Sequence, residues 1–396
     1  MIRRTLMQRN RELVDFEIDP VTRDARVIDA SAEGDELLAS IKPGLNDRES
    51  ALLWLARKRS ISALRDDKDD ILSAFGARTP IDLVLRGHGL SLSDQFWYRA
   101  PGSAERWEDI NFFDNEWDPS FGAAVFKRDY ASLASCSPET PDVTTCGHSV
   151  KTWERSDDGI FLTKESLLPD GSDLMGAKLA ADLCTRLFDE GGCVHVDIVE
   201  RYGRHCSSSS LMLAADEELA DGNRLRAMAG MQNEPGKTDG DHMTAELFQS
   251  LIEAYAAVGV ADASAHIARM ACCFCLTFTV DFHSGNFGAI RKVGADTWRP
   301  APLFDFEGSF GIALDRSKIG ILLANPGFTR LFCARSFSFL DPSWDWSWYD
   351  PRVLDGFEDR IVEAIATNRS LPPGFEEAVT GLFAMQREYV NMIASA

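Results

Sequence analysis

The sequence predicts a mixed α+β fold with two lobes, in which a small strand-rich region precedes a larger helical region. Two observations predict it. Short stretches rich in β-branched and aromatic residues occur between about residues 140 and 215, and helical apolar spacing dominates after residue 216. The length of 396 residues, with 45% hydrophobic residues, also exceeds what one compact core holds, so two or three domains are expected.

Charge and composition exclude several classes of protein. The formal net charge of −21 argues against non-specific nucleic-acid binding and against adhesion to anionic membranes. The sequence has no run of about 18 apolar residues and no apolar stretch near its start, so we expect a cytoplasmic protein without a signal peptide or membrane span. The nine cysteines fit reduced thiols, and the CxxC pair Cys272 and Cys275 lacks the second ligand pair that a zinc site needs.

The first half of the chain mixes helices and strands. The segment "RESALLWLARKRSI" has the apolar spacing of a helix, and "VKTWERSDDGIFLTKES" predicts a β-hairpin with its turn at Asp158-Gly159. The segment "SDLMGAKLAADLCTRLF" then predicts a strong helix with Ser172 as its N-cap. Residues 1 to about 135, before the hairpin, form a leader region that we expect to pack on the strand-rich lobe.

The second half is predicted to be helical. The four serines at 207–210 indicate a solvated turn, and the polar, glycine-rich residues 215–242 indicate a loop. The segments "MTAELFQSLIEAYAAV" and "ADASAHIARMACCFCLTFTV" then predict two helices, and two more are expected near 352–368 and 374–394.

Three polar residues near the middle of the helical region have a spacing that indicates phosphoryl transfer. Asp281 ends an apolar run, Asn286 follows five residues later, and Asp305 follows another short apolar run 19 residues after that. Protein kinases use a catalytic-loop Asp to orient or deprotonate the acceptor hydroxyl, then an Asn and a second Asp to bind magnesium. Oxygen ligands of this kind are those that Mg²⁺ prefers.

The predicted hairpin offers the remaining parts of an ATP site. Lys164 ends a strand-like run, where a lysine can pair with phosphates, and the turn around Gly147 and Ser149 can cover them with backbone N–H groups. Asp173, in the first turn of the following helix, is the expected acidic partner of Lys164, with Glu165 as an alternative. A single Asp or Asn often only caps a helix or a turn. The interpretation as a kinase site therefore depends on the combined spacing of Lys164, Asp281, Asn286 and Asp305.

With these motifs in place, the chain resembles the HipA-like kinase family, and within it the branch of CtkA-type bacterial serine/threonine kinases. The resemblance rests on "DFHSGNFG" (residues 281–288) as the catalytic loop and "LFD" (residues 303–305) as the metal turn. Residues 89–118, "GLSLSDQFWYRAPGSAERWEDINFFDNEWD", resemble the family's leader region. The resemblance implies a serine/threonine protein kinase that uses ATP and Mg²⁺, with His283 in the catalytic loop and, as in toxin–antitoxin members, an antitoxin-like partner left open.

The sequence departs from the family at three positions. Phe282 stands where the family has arginine, and Glu307 follows the metal-turn Asp-Phe pair where other kinases have glycine. Asp173 stands where the partner of the lysine is usually glutamate, which is one methylene longer. These departures leave two alternatives open: a nucleotide-binding pseudokinase that acts as a regulatory module, and a kinase-fold enzyme with AMP-transfer or small-molecule kinase activity.

The expected organisation is therefore a kinase-like fold with three regions. These are a leader at 1–135, a small ATP-binding lobe at 136–215 and a helical catalytic lobe at 216–396. We expect Asp281 to be the catalytic base or orienter, His283 to orient Asp281, and Asn286 and Asp305 to hold Mg²⁺. We also expect autophosphorylation at Ser149 to inactivate the enzyme, because a phosphate there adds about −1.5 to −2 charges beside the ATP phosphates.

Overall fold

The computed structural model describes residues 1–45, 47–188, 191–231, 245–279, 283–295, 297–310, 339–368, 371 and 374–396, and it has a mixed α+β architecture. The strands are β1 (Ile2–Gln8), β2 (Arg11–Asp19), β3 (Asp24–Ala30), β4 (Phe96–Arg99), β5 (Lys151–Ser156), β6 (Gly159–Glu165), β7 (Val196–Arg201), β8 (Arg204–Ser210), β9 (Glu217–Asp221), β10 (Gly288–Lys292) and β11 (Trp298–Pro300). The α-helices are α1 (Ala32–Ala39), α2 (Arg48–Lys58), α3 (Lys68–Ala74), α4 (Pro80–Val84), α5 (Trp107–Ile110), α6 (Ser120–Lys127), α7 (Ser172–Leu187), α8 (Gly222–Met228), α9 (Ala245–Ala257), α10 (Ala263–Leu276), α11 (Phe357–Ala366) and α12 (Phe375–Ala394).

The N-terminal sheet has the strand order β3-β2-β1-β4, with antiparallel neighbours. Strand β2 alternates in the manner of a sheet with one buried face: Val14, Phe16 and Ile18 are buried, and the intervening acidic residues are not. Helix α2 covers this face with Leu52 and Leu55, as its apolar spacing predicts. Each of these buried side chains contributes about 1.5–3 kcal/mol to the stability of this sheet.

The second sheet has the order β5-β6-β8-β7, and its first two strands confirm the predicted hairpin, but the turn lies one residue earlier than the predicted Asp158-Gly159. Ser156 pairs with Gly159, so the connection is the two-residue loop Asp157-Asp158, and Gly159 has a φ of 133° that favours glycine. This register places Lys151 directly opposite Lys164.

Some predictions of strands and loops are wrong, because contacts with distant parts of the chain determine the structure of these segments. The serines at 207–210 belong to β8, whose backbone pairs with β6 on one side and β7 on the other. Part of the loop predicted at 215–242 is strand β9 and helix α8, while residues 232–244 lie outside the described residues. Strand β9 was hard to predict because its second residue, Glu218, is fully buried, held by Arg291 at 2.5 Å and Arg224 at 3.2 Å.

The four helices predicted in the second half are present as α9, α10, α11 and α12, and they share a hydrophobic core with α7. Helix α7 begins at Ser172 as its first helical residue, and its N-cap is Gly171 in the left-handed region. Strands β9, β10 and β11 form the third sheet beside these helices. In the part of the chain that the structure describes, no helix is both long and apolar enough to cross a membrane.

The N-terminal region is attached to both other sheets by hydrogen bonds. The Gln95 amide donates to the carbonyl of Ala215 at 2.7 Å, and Leu219 of β9 donates its N–H to Ser93 at 2.9 Å. On the side of the second sheet, Arg155 of β5 donates to the carbonyl of Phe112 at 2.6 Å. The region before residue 135 therefore contacts the elements that carry the candidate site on two sides.

Candidate active site

Lys164, near the end of β6, lies at the centre of the site. Its ammonium is 2.5 Å from Oδ1 of Asp305 and 3.0 Å from Oε1 of Glu307, and only 13% of its side chain is exposed. The structure thus brings together Lys164 and Asp305, which the sequence analysis assigns to one site. Burial alone would lower the pKa of Lys164, but the two carboxylates raise it well above its ordinary value.

The two carboxylates respond in opposite directions. Burial would raise the pKa of Asp305, but attraction to Lys164 holds it well below its usual range. Burial raises the pKa of Glu307. The Lys164 charge lowers that pKa and the Asp305 charge raises it, and the net result is a raised pKa. Asp305 is therefore the more strongly ionised of the pair and the better ligand for a hard cation.

Asp305 is held in a constrained backbone conformation. Its φ of 68° lies in the left-handed region, which aspartate tolerates better than most residues but which still costs free energy. The preceding Leu303 donates its N–H to Gly192 at 2.9 Å, and the following Phe306 is buried against Phe274. These contacts fix the backbone on both sides, so the carboxylate direction is set by the fold.

A second buried cation, Lys151, lies beside Lys164 and is not among the site residues predicted from the sequence. It is the first residue of β5, it is 8% exposed, and its ammonium donates to the Cys146 carbonyl at 2.7 Å. Burial, together with repulsion from Lys164, lowers the pKa of Lys151 to about 8. The hairpin register would have found it only with the turn at Asp157-Asp158, which makes Lys151 the cross-strand partner of Lys164. The predicted turn at Asp158-Gly159 would instead place Lys151 opposite Ser166.

The turn around Gly147 lies directly above Lys151. Gly147 has a φ of 101°, a conformation that favours glycine, and a methyl group built on it would lie 2.5 Å from the Lys151 ammonium. Within the described residues, no group accepts a hydrogen bond from the backbone N–H groups of residues 146–149. The turn therefore lies against a buried ammonium and has backbone N–H groups that no described residue uses, which is an arrangement suited to phosphate oxygens.

The hydroxyls of this turn differ in their surroundings. Thr144 is buried and donates to the Leu90 carbonyl at 2.8 Å, and Thr145 donates to the Asp142 carbonyl at 2.7 Å. Ser149 is half-buried, and its hydroxyl has no hydrogen-bond partner among the described residues.

The expected pairing of Lys164 with Asp173 is wrong. Asp173 accepts a hydrogen bond from Leu167 N–H at 2.7 Å and another from the Ser166 hydroxyl, so it orders the segment between β6 and α7. The alternative partner, Glu165, is paired with Arg128 at 2.7 Å and Arg204 at 3.2 Å. Successive residues of a strand point to opposite faces, so Glu165 cannot join Lys164.

The catalytic-loop assignments are only partly within the described residues. Asp281 and Phe282 lie outside them. His283 is exposed, and its Nδ1 accepts the Gly285 N–H at 3.0 Å, while Asn286 is buried and donates its N–H to the His283 carbonyl at 2.9 Å. His283 thus shapes the turn that places Asn286 next to β10.

Helix α8 holds this turn from the other side. The N–H of Gly222, its first residue, donates to the carbonyls of Ser284 at 2.8 Å and Phe287 at 3.0 Å. A methyl group on Gly222 would lie 2.3 Å from the Phe287 ring, so glycine allows this close approach. The turn is therefore held by hydrogen bonds from a residue about 60 positions earlier in the chain, which the sequence of the turn alone does not reveal.

The residues present suit a magnesium nucleotide chemically. Asn286 and Asp305 carry amide and carboxylate oxygens, which are hard donors, and Lys151 and Lys164 carry positive charge that phosphates can pair with. Among the described residues, no group of three or more His, Cys, Asp or Glu side chains is arranged to hold a metal ion. Mg²⁺ bound together with a nucleotide commonly has few protein ligands, because phosphate oxygens and water complete its coordination.

Comparison with known proteins identifies the fold. No family model and no curated protein matches the sequence. Among solved structures, HipA from the Shewanella oneidensis MR-1 HipA, HipB and operator DNA complex is 11% identical with a TM-score of 0.51, covering 99% of both chains. The Helicobacter pylori proinflammatory kinase CtkA is 13% identical with a TM-score of 0.44, covering 60% of this chain and 90% of that one. The likeness to HipA along the whole length shows that the chain has a HipA-like kinase fold.

We predict that Lys164→Met lowers the free energy of unfolding by about 2 kcal/mol, because it leaves two carboxylates without their cation in a partly buried site. Glu307→Gln in the same chain should restore part of this loss by removing one of the two charges. Chemical denaturation of the single and double variants measures the coupling.

The matched control for this prediction is Lys292→Met. Lys292 is paired with Asp216 at 2.7 Å, but 58% of its side chain is exposed, so its loss should cost under about 1 kcal/mol. Equal destabilisation by Lys164→Met and Lys292→Met would contradict the role given to the Lys164 cluster.

Proposed function

We propose that the protein is an ATP- and Mg²⁺-dependent protein kinase that transfers the γ-phosphate to serine or threonine. The observation that carries this proposal is the contact of Lys164 with Asp305, which brings the phosphate-binding lysine of a strand against the carboxylate of a metal turn. The HipA-like kinase fold supports it. Phosphoryl transfer depends mainly on positioning and charge, and both are built into this cluster.

The proposal includes a division of the chain into regions. Residues 136–215 form the small lobe, residues 216–396 the helical lobe, and residues 1–135 a leader region. The second sheet and Lys164 fall in the small lobe, and Asn286 and Asp305 fall in the helical lobe. ATP would then bind where the two lobes face each other.

Each site residue has a proposed role. Lys151 and Lys164, together with the N–H groups around Gly147, bind the phosphates, and Asn286 and Asp305 hold Mg²⁺. Bound Mg²⁺ supplies positive charge that offsets the charge of the phosphates. The acceptor hydroxyl oxygen bonds to the γ-phosphorus as the bond from that phosphorus to the bridging oxygen breaks, ADP leaves, and Asp281 takes the hydroxyl proton.

Asp173 and His283 have supporting roles in this proposal. Asp173 closes the segment after β6 through Ser166 and Leu167, and so limits the movement of Lys164 relative to α7. His283 sets the turn that carries Asn286. An antitoxin-like partner stays a prediction from the sequence; the solved HipA complex contains HipB and operator DNA.

The chemistry is tested with Mg²⁺ and ATP labelled at the γ or the α phosphorus. We expect only the γ label to move to protein, and Asp281→Asn to lower transfer by about 10²–10⁴-fold while ATP still binds. Asp359→Asn, which changes an exposed carboxylate at the start of α11, is the control and should transfer normally.

Other outcomes of this experiment identify the alternatives. Transfer of the α label alone would indicate AMP transfer, and ATP binding without transfer of either label would indicate a pseudokinase. Normal transfer by Asp281→Asn would refute the catalytic assignment even if the protein is a kinase.

Autophosphorylation is predicted at Ser149 and should inactivate the enzyme. Ser149 lies two residues before Lys151, and its phosphate would compete with the ATP phosphates for that ammonium. The hydroxyls of Thr144 and Thr145 are bonded to backbone carbonyls, which leaves Ser149 as the accessible acceptor in this turn. Ser149→Asp should therefore weaken ATP binding by about fivefold or more.

Mass mapping after incubation with Mg-ATP locates the phosphate, and Ser343→Asp, which adds the same charge at an exposed serine, is the control for affinity. Phosphate found only at other residues, or unchanged ATP affinity in Ser149→Asp, would count against this self-inhibition.

A further inference from the structure

Lys58, at the end of helix α2, reaches the catalytic loop from the N-terminal region. Its ammonium lies 5.1 Å from the centre of the Trp54 ring, one turn earlier on the same helix. The next residue, Arg59, is 4% exposed and donates to the carbonyls of Gly89 at 2.5 Å and Phe96 at 2.6 Å. Arg59 also forms an ion pair with Asp94, so the end of the helix that carries Lys58 is firmly anchored.

The Lys58 ammonium lies over the turn that follows the proposed catalytic Asp281. A methyl group built on Gly285 would lie 4.0 Å from this ammonium and 2.9 Å from Cε1 of His283. His283 is exposed here and Ser284 and Gly285 are half-buried, so the turn has a surface that another molecule can reach. Lys58 is half-buried at the edge of that surface.

Lys58 has no carboxylate partner within 4.0 Å among the described residues, in a chain with a net charge of −21. Most buried or half-buried cations near it are paired, as Arg59 is with Asp94 and Arg224 is with Glu218. Lys58 acts on Asp221 at longer range, opposing the burial that raises the pKa of that carboxyl. An ammonium on an anchored helix and without a direct ion pair is able to receive an anion from outside.

The position of Lys58 favours the acceptor over ATP. The cations that act most strongly on Asp305 are Lys164 and Lys151, which define the phosphate side of the site. Lys58 instead lies close to Gly285, and its charge lowers the pKa of Asp221. The residue after Asp221, Gly222, donates its N–H to the Ser284 carbonyl of the same turn. Lys58 is thus on the catalytic-loop side, where the acceptor hydroxyl has to approach Asp281.

We propose that Lys58 binds an anionic side chain of the acceptor protein next to the phosphorylated serine or threonine, so that the N-terminal region helps to select the acceptor. This inference rests on the proposed kinase function. The anion is the carboxylate of Asp or Glu or the phosphate of an already phosphorylated residue, since both match an ammonium of this kind.

The test measures binding first and transfer second, on the full chain. Fluorescent peptides with one serine, flanked by Asp, by phosphoserine or by Asn, are titrated with wild-type protein, Lys58→Met, Lys58→Arg and Arg57→Met. Arg57 is an exposed cation on the same helix and has no ion pair among the described residues, so its variant controls for general charge. γ-Phosphate transfer to the same peptides, ATP affinity and thermal unfolding are measured in parallel.

We expect Asp- or phosphoserine-flanked peptides to bind about three- to tenfold more tightly than the Asn-flanked peptide, and Lys58→Met to abolish the difference. Lys58→Arg and Arg57→Met should keep it, and ATP affinity should not change in any variant. The two anionic peptides show whether carboxylate or phosphate is preferred.

A preference that survives Lys58→Met, or no preference at all, overturns the inference whether or not phosphate is transferred. Lys58-dependent binding without any γ-transfer would support the anion site and reject the kinase function.

Discussion

The ion pair of Lys164 with Asp305 and Glu307 is the interaction on which the candidate site depends. It joins a strand of the second sheet to a segment 141 residues later in the chain, so it exists only if both parts fold and pack. Removing a charge from water is costly, and here two carboxylates and two lysines, Lys164 and Lys151, balance each other. The site therefore combines the positive charge of the lysines, which can bind phosphates, with carboxylate oxygens, which can bind a hard cation.

The sequence predicted the parts of this site whose signals are local. The hairpin, the lysine at its end and the Asp305 turn were recognisable from turn residues, strand alternation and spacing. The partner of Lys164 was not predictable, because the choice among Asp173, Glu165 and Glu307 depends on how α7 and the 303–307 segment pack. Asp173 instead bonds to its own neighbourhood, as a short carboxylate near a backbone N–H often does.

Polar residues within strands caused the errors in the fold prediction. Strand β8 contains four serines and was interpreted as a turn, and β9 contains Glu218, which is fully buried only because Arg224 and Arg291 come from other elements. Local propensity disfavours both segments as strands, and pairing with neighbouring strands overrides it. Lys151 was overlooked for a related reason: its importance comes from cross-strand register, which no single residue encodes.

The N-terminal region is part of the site's framework. Gln95 and Leu219 tie it to the third sheet, Arg155 ties it to the second, and Arg59 anchors the helix that ends over the catalytic loop. The carbonyls that Arg59 binds are buried and would be costly to leave unpaired, so these hydrogen bonds fix the end of the helix that carries Lys58. A region without catalytic motifs can in this way take part in substrate selection.

Calorimetric titration of the full chain with ATP, with and without Mg²⁺, tests the central claim that the Lys164 cluster is a magnesium-nucleotide site. The account predicts binding that requires Mg²⁺ and that weakens by about tenfold or more in Lys164→Met, while Lys292→Met binds as the wild type does. ATP affinity that is the same without Mg²⁺, or that is unchanged in folded Lys164→Met, would contradict it.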